Sequence, residues 1–218
     1  MLPLFDRHVA LEYYIQLKVV QTMTEKQQER LRKKIKNIKS ELAADKKRWG
    51  GFYDDSRGLR YLPLEYFIKL HDYSGGKRYM NWFYKNFPDD GGFPEFLFEC
   101  VIILYSTNKL KEARKKLFET YTSNTYVIEK FLGNETPQID KYEGSNIERL
   151  EYIDYFNYTD TSIDLPEFTH WIHECIDSDS FKSAQNEFLD IHRRLLAEHE
   201  YEKRVELFNG IRALHTRF

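Results

Sequence analysis

"NKLKEARKKLFETYTSN" (108–124) opens on a turn residue, Asn108, and then sets Leu110, Ala113, Leu117 and Thr120 on one face. Steps of 3, 4 and 3 are those of a helix, and an apolar stripe on a helix needs a partner. The preceding stretch supplies one. Leu97, Cys100, Val101 and Leu104 recur at helical spacing within 93–107, and "STN" is the joint between the two segments. Two helices joined by so short a turn fold back on each other as a hairpin.

The hairpin has a predecessor. Displaced by 37 residues, Leu110 falls on Tyr73, Ala113 on Gly76, Leu117 on Met80, Thr120 on Phe83 and Thr125 on Pro88. Gly76 and Ala113 are small, which lets two helix backbones approach closely. A turn residue precedes each by about five positions, and a helix breaker follows each by about twelve. "FPEFLFECVIILYSTNKLKEARKKLFETYTSN" (93–124) resembles a tetratricopeptide repeat (TPR), and "HDYSGGKRYMNWFYKNFP" (71–88) resembles the second half of one. The family period is about 34 residues, and "DDGG" (89–92) accounts for the longer one here. The large residue expected early in the first helix is Leu97 in one unit but Arg60 in the other, where the pattern departs. "SNTYVIEKFLG" (123–133) is similar to the shortened capping element of bacterial TPR-like proteins, and "GSNIERLEYIDYF" with "FTHWI" to the helix pair that follows it.

The resemblance implies a right-handed superhelix whose first helices line a concave side, and a binding module rather than a catalyst. The groove positions it implies are Tyr61, Glu65, Ile68 and Lys69 in one unit and Glu95, Phe98, Ile102, Tyr105 and Ser106 in the next. Of these, Tyr61, Glu65, Lys69, Phe98, Ile102 and Tyr105 are the expected partner contacts. Capture of a peptide's terminal carboxylate is not expected, because Phe98 and Ile102 stand where charged or amide groups are needed. Such a groove either takes an apolar segment of a partner or is filled by the protein's own terminal helices.

Outside the hairpins, 6–23 reads as an amphipathic helix capped by Asp6. A second, capped at Thr24 with Gln27 in capping-box register, carries Leu31, Ile35, Ile38 and Leu42 through a charged stretch to Trp49. "GNETPQIDKYEGS" (133–145) is a linker or surface loop. Helices are expected near 146–157 and 165–176, then a long charged helix or pair over 179–215, with fraying at Gly210. The expected whole is a single all-α domain of nine or ten helices. It comprises an N-terminal pair (1–56), TPR-like hairpins (57–132) and C-terminal helices (146–218).

Composition agrees. Of 218 residues 41% are apolar and 31% charged, enough for a core and a solvated surface. The net charge of −2 provides no global positive field for nucleic acid or anionic lipid. No leader peptide and no 18-residue apolar window are evident, so the expected location is the cytoplasm. Cys100 and Cys175 read as buried free thiols.

Two other constellations could carry chemistry. His170 and His173, with Glu167 and Glu174 beside them, have the helical spacing of a metal pair, so a metal-dependent protein or enzyme is the alternative function. HEXXH is absent, however, and no third ligand is evident. "RLRKKIKNIK" (30–39) could touch phosphates, but acidic runs flank it, and a solvated helix face is the better reading. Its 4-3-4 stripe packs on the first helix or, as the second reading, in a homodimer. No catalytic residue and no cofactor motif is evident. The partner expected is a protein or peptide, whose identity the sequence does not specify.

Overall fold

A computed structural model describes residues 23–165 and 167–217, and the helix expected over 6–23 falls outside them but for its last residue. The described residues form nine α-helices: α1 Glu25–Arg48, α2 Leu62–Lys69, α3 Tyr73–Asn86, α4 Pro94–Ser106, α5 Leu110–Ser123, α6 Val127–Phe131, α7 Phe168–Asp177, α8 Asp179–Ala197 and α9 Tyr201–Arg217. There is no strand among them, and the chain is all-α with stacked, packed helices.

α1 begins with a full capping box. Gln27 N–H donates to Thr24 Oγ1 at 3.3 Å, and Thr24 N–H donates to Gln27 Oε1 at 2.8 Å. Only Ile35, Ile38 and Leu42 are buried, so one narrow stripe holds this long helix to the body.

The 37-residue displacement holds in the backbone. α3 and α5 have the same length, and both their first and their last residues lie 37 apart. The turns before them match as well. His71 (φ 53°) and Asn108 (φ 56°), also 37 apart, are both left-handed. Asp72 N–H donates to Phe67 O at 3.0 Å and Lys109 N–H to Leu104 O at 2.8 Å, the six-to-one bond that closes a helix after a left-handed residue. α2 and α4 end in register, but α4 starts earlier. In the first unit that start is a 3₁₀ turn, Leu59–Tyr61, which leads into α2. Arg60, the departing residue of the pattern, explains it. Its guanidinium binds Asp90 at 2.7 Å and Asp55 at 3.3 Å, an ion network rather than a core contact.

Gly76 and Ala113 are both buried. A Cβ built on Gly76 would lie 2.4 Å from Ile103 Cδ1 and 3.3 Å from Phe67 Cβ, so α3 touches both α4 and α2 at that point. α4 is buried on almost every face and forms the centre of the molecule. α5 is covered in turn by α8, through Phe118–Phe181 and Tyr121–Phe188 ring contacts at 5.5 and 5.8 Å.

Two expectations are corrected. Residues 146–157 hold two 3₁₀ turns instead of an α-helix. Side chains take the carbonyls that an α-helix would use: Asn124 Nδ2 donates to Ile147 O and Arg149 O, and buried Lys141 donates to Glu148 O. The C-terminal stretch breaks at 198–200, not at Gly210. Arg204 donates to Leu195 O and Glu198 O at 2.8 Å each, which satisfies the end of α8. Gly210 continues α9, where a Cβ would approach Ile191 Cδ1 to 3.2 Å.

Candidate functional site

The inner face of the hairpins is occupied by the chain itself. Phe98 and Ile102 are fully buried. Phe98 lies among Phe131, Phe156, Tyr158 and Phe168, with ring centroids 4.8 to 6.0 Å away. Tyr105 packs on Phe168 and Trp171 at 5.0 and 5.1 Å. The segment after α6 and the helix α7 therefore roof α4 with aromatic side chains. Of the two readings of an apolar groove, filling by the protein's own segments holds at Phe98 and Ile102, which are core residues.

The rest of that face is polar. Tyr61 donates to Asp90 at 2.7 Å and accepts from Arg60 at 2.9 Å, with burial and the aspartate pushing its phenol up to about 12. Glu65 pairs with Lys69 along α2. Beneath them, Glu99 is buried and accepts from Tyr158 at 2.8 Å, and burial raises its carboxyl well above the usual range. Glu95 and Glu65 add to that rise.

An open cleft lies instead between α1 and the α2–α3 hairpin. Two adjoining cavities, of about 560 and 770 Å³, share Lys39 and Ala43 and run along α1. Arg32, Lys36, Lys39, Ala43 and Lys46 step by 4, 3, 4 and 3, the row next to the buried Ile35/Ile38/Leu42 stripe. The helix thus sets its apolar row on α2 and its cationic row over the cleft. The opposite wall is α3, with Arg78, Tyr79, Trp82 and Asn86, and Tyr53 closes one end. The signal for this site was present in the basic run 30–39. It did not reveal that Tyr53, Tyr79 and Trp82 would face that run.

The cleft is preorganised. Lys46 Nζ and Tyr53 Oη both donate to Asn86 Oδ1, at 2.9 and 3.0 Å, and Asn86 Nδ2 donates to Trp82 O at 2.8 Å. Lys39 Nζ stands 5.5 Å from the Phe67 ring centre and 5.6 Å from that of Tyr79. Partial desolvation and the Arg78 charge lower the Lys39 pKa, against the opposing pull of Asp72. Among the described residues Lys39, Lys47 and Arg78 have no hydrogen-bond or ion-pair acceptor.

His170 bonds Glu174 at 3.3 Å on an exposed face, and no group of three or more His, Cys, Asp or Glu among the described residues could hold a metal. Cys100 and Cys175 are free and buried, and burial pushes their thiols up to about 12 and about 11, far from thiolate chemistry at neutral pH. No described helix is long and apolar enough to cross a membrane. In comparisons with known proteins, no family model, no curated protein and no solved structure matches this chain.

Proposed function

We propose that this chain is a non-catalytic protein-interaction module, a scaffold built on two TPR-like helical hairpins. The observation that carries the reading is the recurrence at 37 residues of the second helix, its left-handed turn and its closing hydrogen bond. Side chains alone can match by accident, but a matched backbone is the mark of a repeated unit. α4 packs on both helices of the preceding hairpin, as the next unit of such an array does. The segment after α6, α7 and α8 act as the cap that a short array needs, the first two over α4 and α8 over α5.

That filling moves the partner surface. A partner meets the α1 side of the stack, where the open cleft and the exposed Trp49 and Phe52, 51% and 78% accessible, lie together on the chain. Tyr61, Glu65 and Lys69 at the edge of the inner face form a smaller polar rim.

Cross-linking of the full chain to its bound partner in a cell extract, with mapping of the linked lysines, tests this. Links concentrated on Lys36, Lys39, Lys46 and Lys47 are expected. Links confined to Lys182 and Lys203 on the C-terminal helices, or a chain that captures no protein, overturn it.

A further inference from the structure

The cleft between α1 and α3 restricts what can bind there. Its rim is cationic, and four of its cations lack an acceptor among the described residues: Lys36, Lys39, Lys47 and Arg78. Its floor is apolar and aromatic, from Ile35, Ala43, Phe67 and Leu70 at one end to Tyr79 and Trp82 at the other. From Arg32 to Lys47 the cleft follows α1 for about 22 Å at 1.5 Å per residue. An elongated trough of that length exceeds one small molecule and fits a segment of polymer, either about 15 residues of helix or about 7 of extended chain.

Charge selects an anionic polymer, and the rings select between two kinds. A single-stranded nucleic acid needs free aromatic faces on which bases stack. Here the rings are already used. Lys39 stands near the faces of Phe67 and Tyr79, Lys46 lies 5.0 Å from the Tyr53 centre, and Tyr79 packs on Trp82 at 5.1 Å. What stays accessible, part of Trp82 and Leu70 and the aliphatic stems of the lysines, suits apolar side chains. An acidic residue, Asp72, also sits on the cleft wall among the cations, which penalises a continuous phosphate backbone more than spaced carboxylates.

We propose that the α1–α3 cleft binds an acidic amphipathic segment of a partner protein, with its carboxylates on Lys39, Lys47 and Arg78 and its apolar side chains on the Phe67–Tyr79–Trp82 floor. This rests on the interaction-module reading and names the class of partner. It uses the helix-in-groove mode, with an acidic face in place of a neutral one. The unpaired cations are its driving feature, because no ion pair among the described residues has to break before a carboxylate binds them.

The test is an anisotropy titration of the full chain against a fluorescent 15-residue peptide of glutamate and leucine with the leucines on one helical face. The arms are the matching lysine–leucine peptide and a 15-nucleotide oligothymidylate. The glutamate peptide is expected to bind tightest and to weaken at least tenfold in the Lys39→Gln/Arg78→Gln double variant. It should also weaken at high salt and be unchanged by Lys111→Gln on α5. The two rim side chains are exposed and make no ion pair, so the double variant keeps the fold, checked by circular dichroism. Equal binding by the double variant, or equal binding of the lysine peptide, overturns the proposal. Tighter binding of the oligothymidylate overturns it in favour of nucleic acid. Cross-linking to the cleft lysines by a partner whose capture the double variant leaves unchanged also overturns this assignment, while the interaction-module reading stands. A chain that captures no protein at all overturns the module reading, whatever the peptide does.

Discussion

Phe98 shows how far a single side chain can move between roles. In the repeat pattern it is a groove position, and in the folded chain it lies fully buried under four rings. Phe98→Ala is therefore expected to cost about 3–5 kcal/mol of unfolding free energy, read by chemical denaturation. A loss under about 1 kcal/mol would mean that the roof is not closed. One residue on, Glu99 is a buried carboxylate whose one described hydrogen-bond donor is Tyr158. Its folded pKa is raised by burial. A raised acid pKa means that its stabilising contribution is complete below the unfolded value and is lost as pH rises toward the folded one. Glu99→Gln keeps the bond to Tyr158 and removes the charge. It should raise the melting temperature at pH 8 and leave it nearly unchanged at pH 4, and a uniform shift at both would dismiss the linkage. His192 works in the opposite direction. Burial lowers its pKa, so its contribution holds above about 6.5 and is lost as pH falls below that.

The helices and turns make their own predictions. Gly76 and Gly210 are both helical glycines, yet their surroundings differ. At Gly76 a methyl would meet Ile103 Cδ1 at 2.4 Å inside the core, so Gly76→Ala should destabilise by about 1–3 kcal/mol through overpacking. Adding Ile103→Val should recover part of that loss, since the two sites are in contact. At Gly210 the nearest atom is the tip of Ile191 at 3.2 Å, and helix propensity favours alanine by about 1 kcal/mol, so Gly210→Ala should be neutral or stabilising. The left-handed turns offer a paired check. Replacing His71 or Asn108 with valine should cost more than about 1 kcal/mol, and glycine at either should cost nothing. Different responses at the two turns would break the equivalence of the hairpins.

Across the molecule, what was legible in the sequence was whatever depends on neighbours a few residues away. The helical stripes, the capping box at Thr24 and the hairpin turns are set by local sterics and hydrogen bonding, and they stand where the spacing places them. Gly76 and Ala113, the small residues of the pattern, are both buried. Where distant side chains compete for the backbone, local spacing misleads. Asn124 and Lys141 hold 146–154 in 3₁₀ turns, although its apolar pattern is helical. Nor does spacing tell which of two apolar faces meets solvent, since Phe98 buried by a partner and Phe98 buried by Phe156 leave the same mark on the chain. The residue order alone was enough for the all-α class, the hairpins and their displacement. The roof over α4 and the cationic cleft beside α1 arose only when segments far apart in the chain, 59 positions for Glu99 to Tyr158 and 40 for Lys46 to Asn86, were packed into one body. Burial is a sum over all neighbours in space, and no local pattern contains that sum.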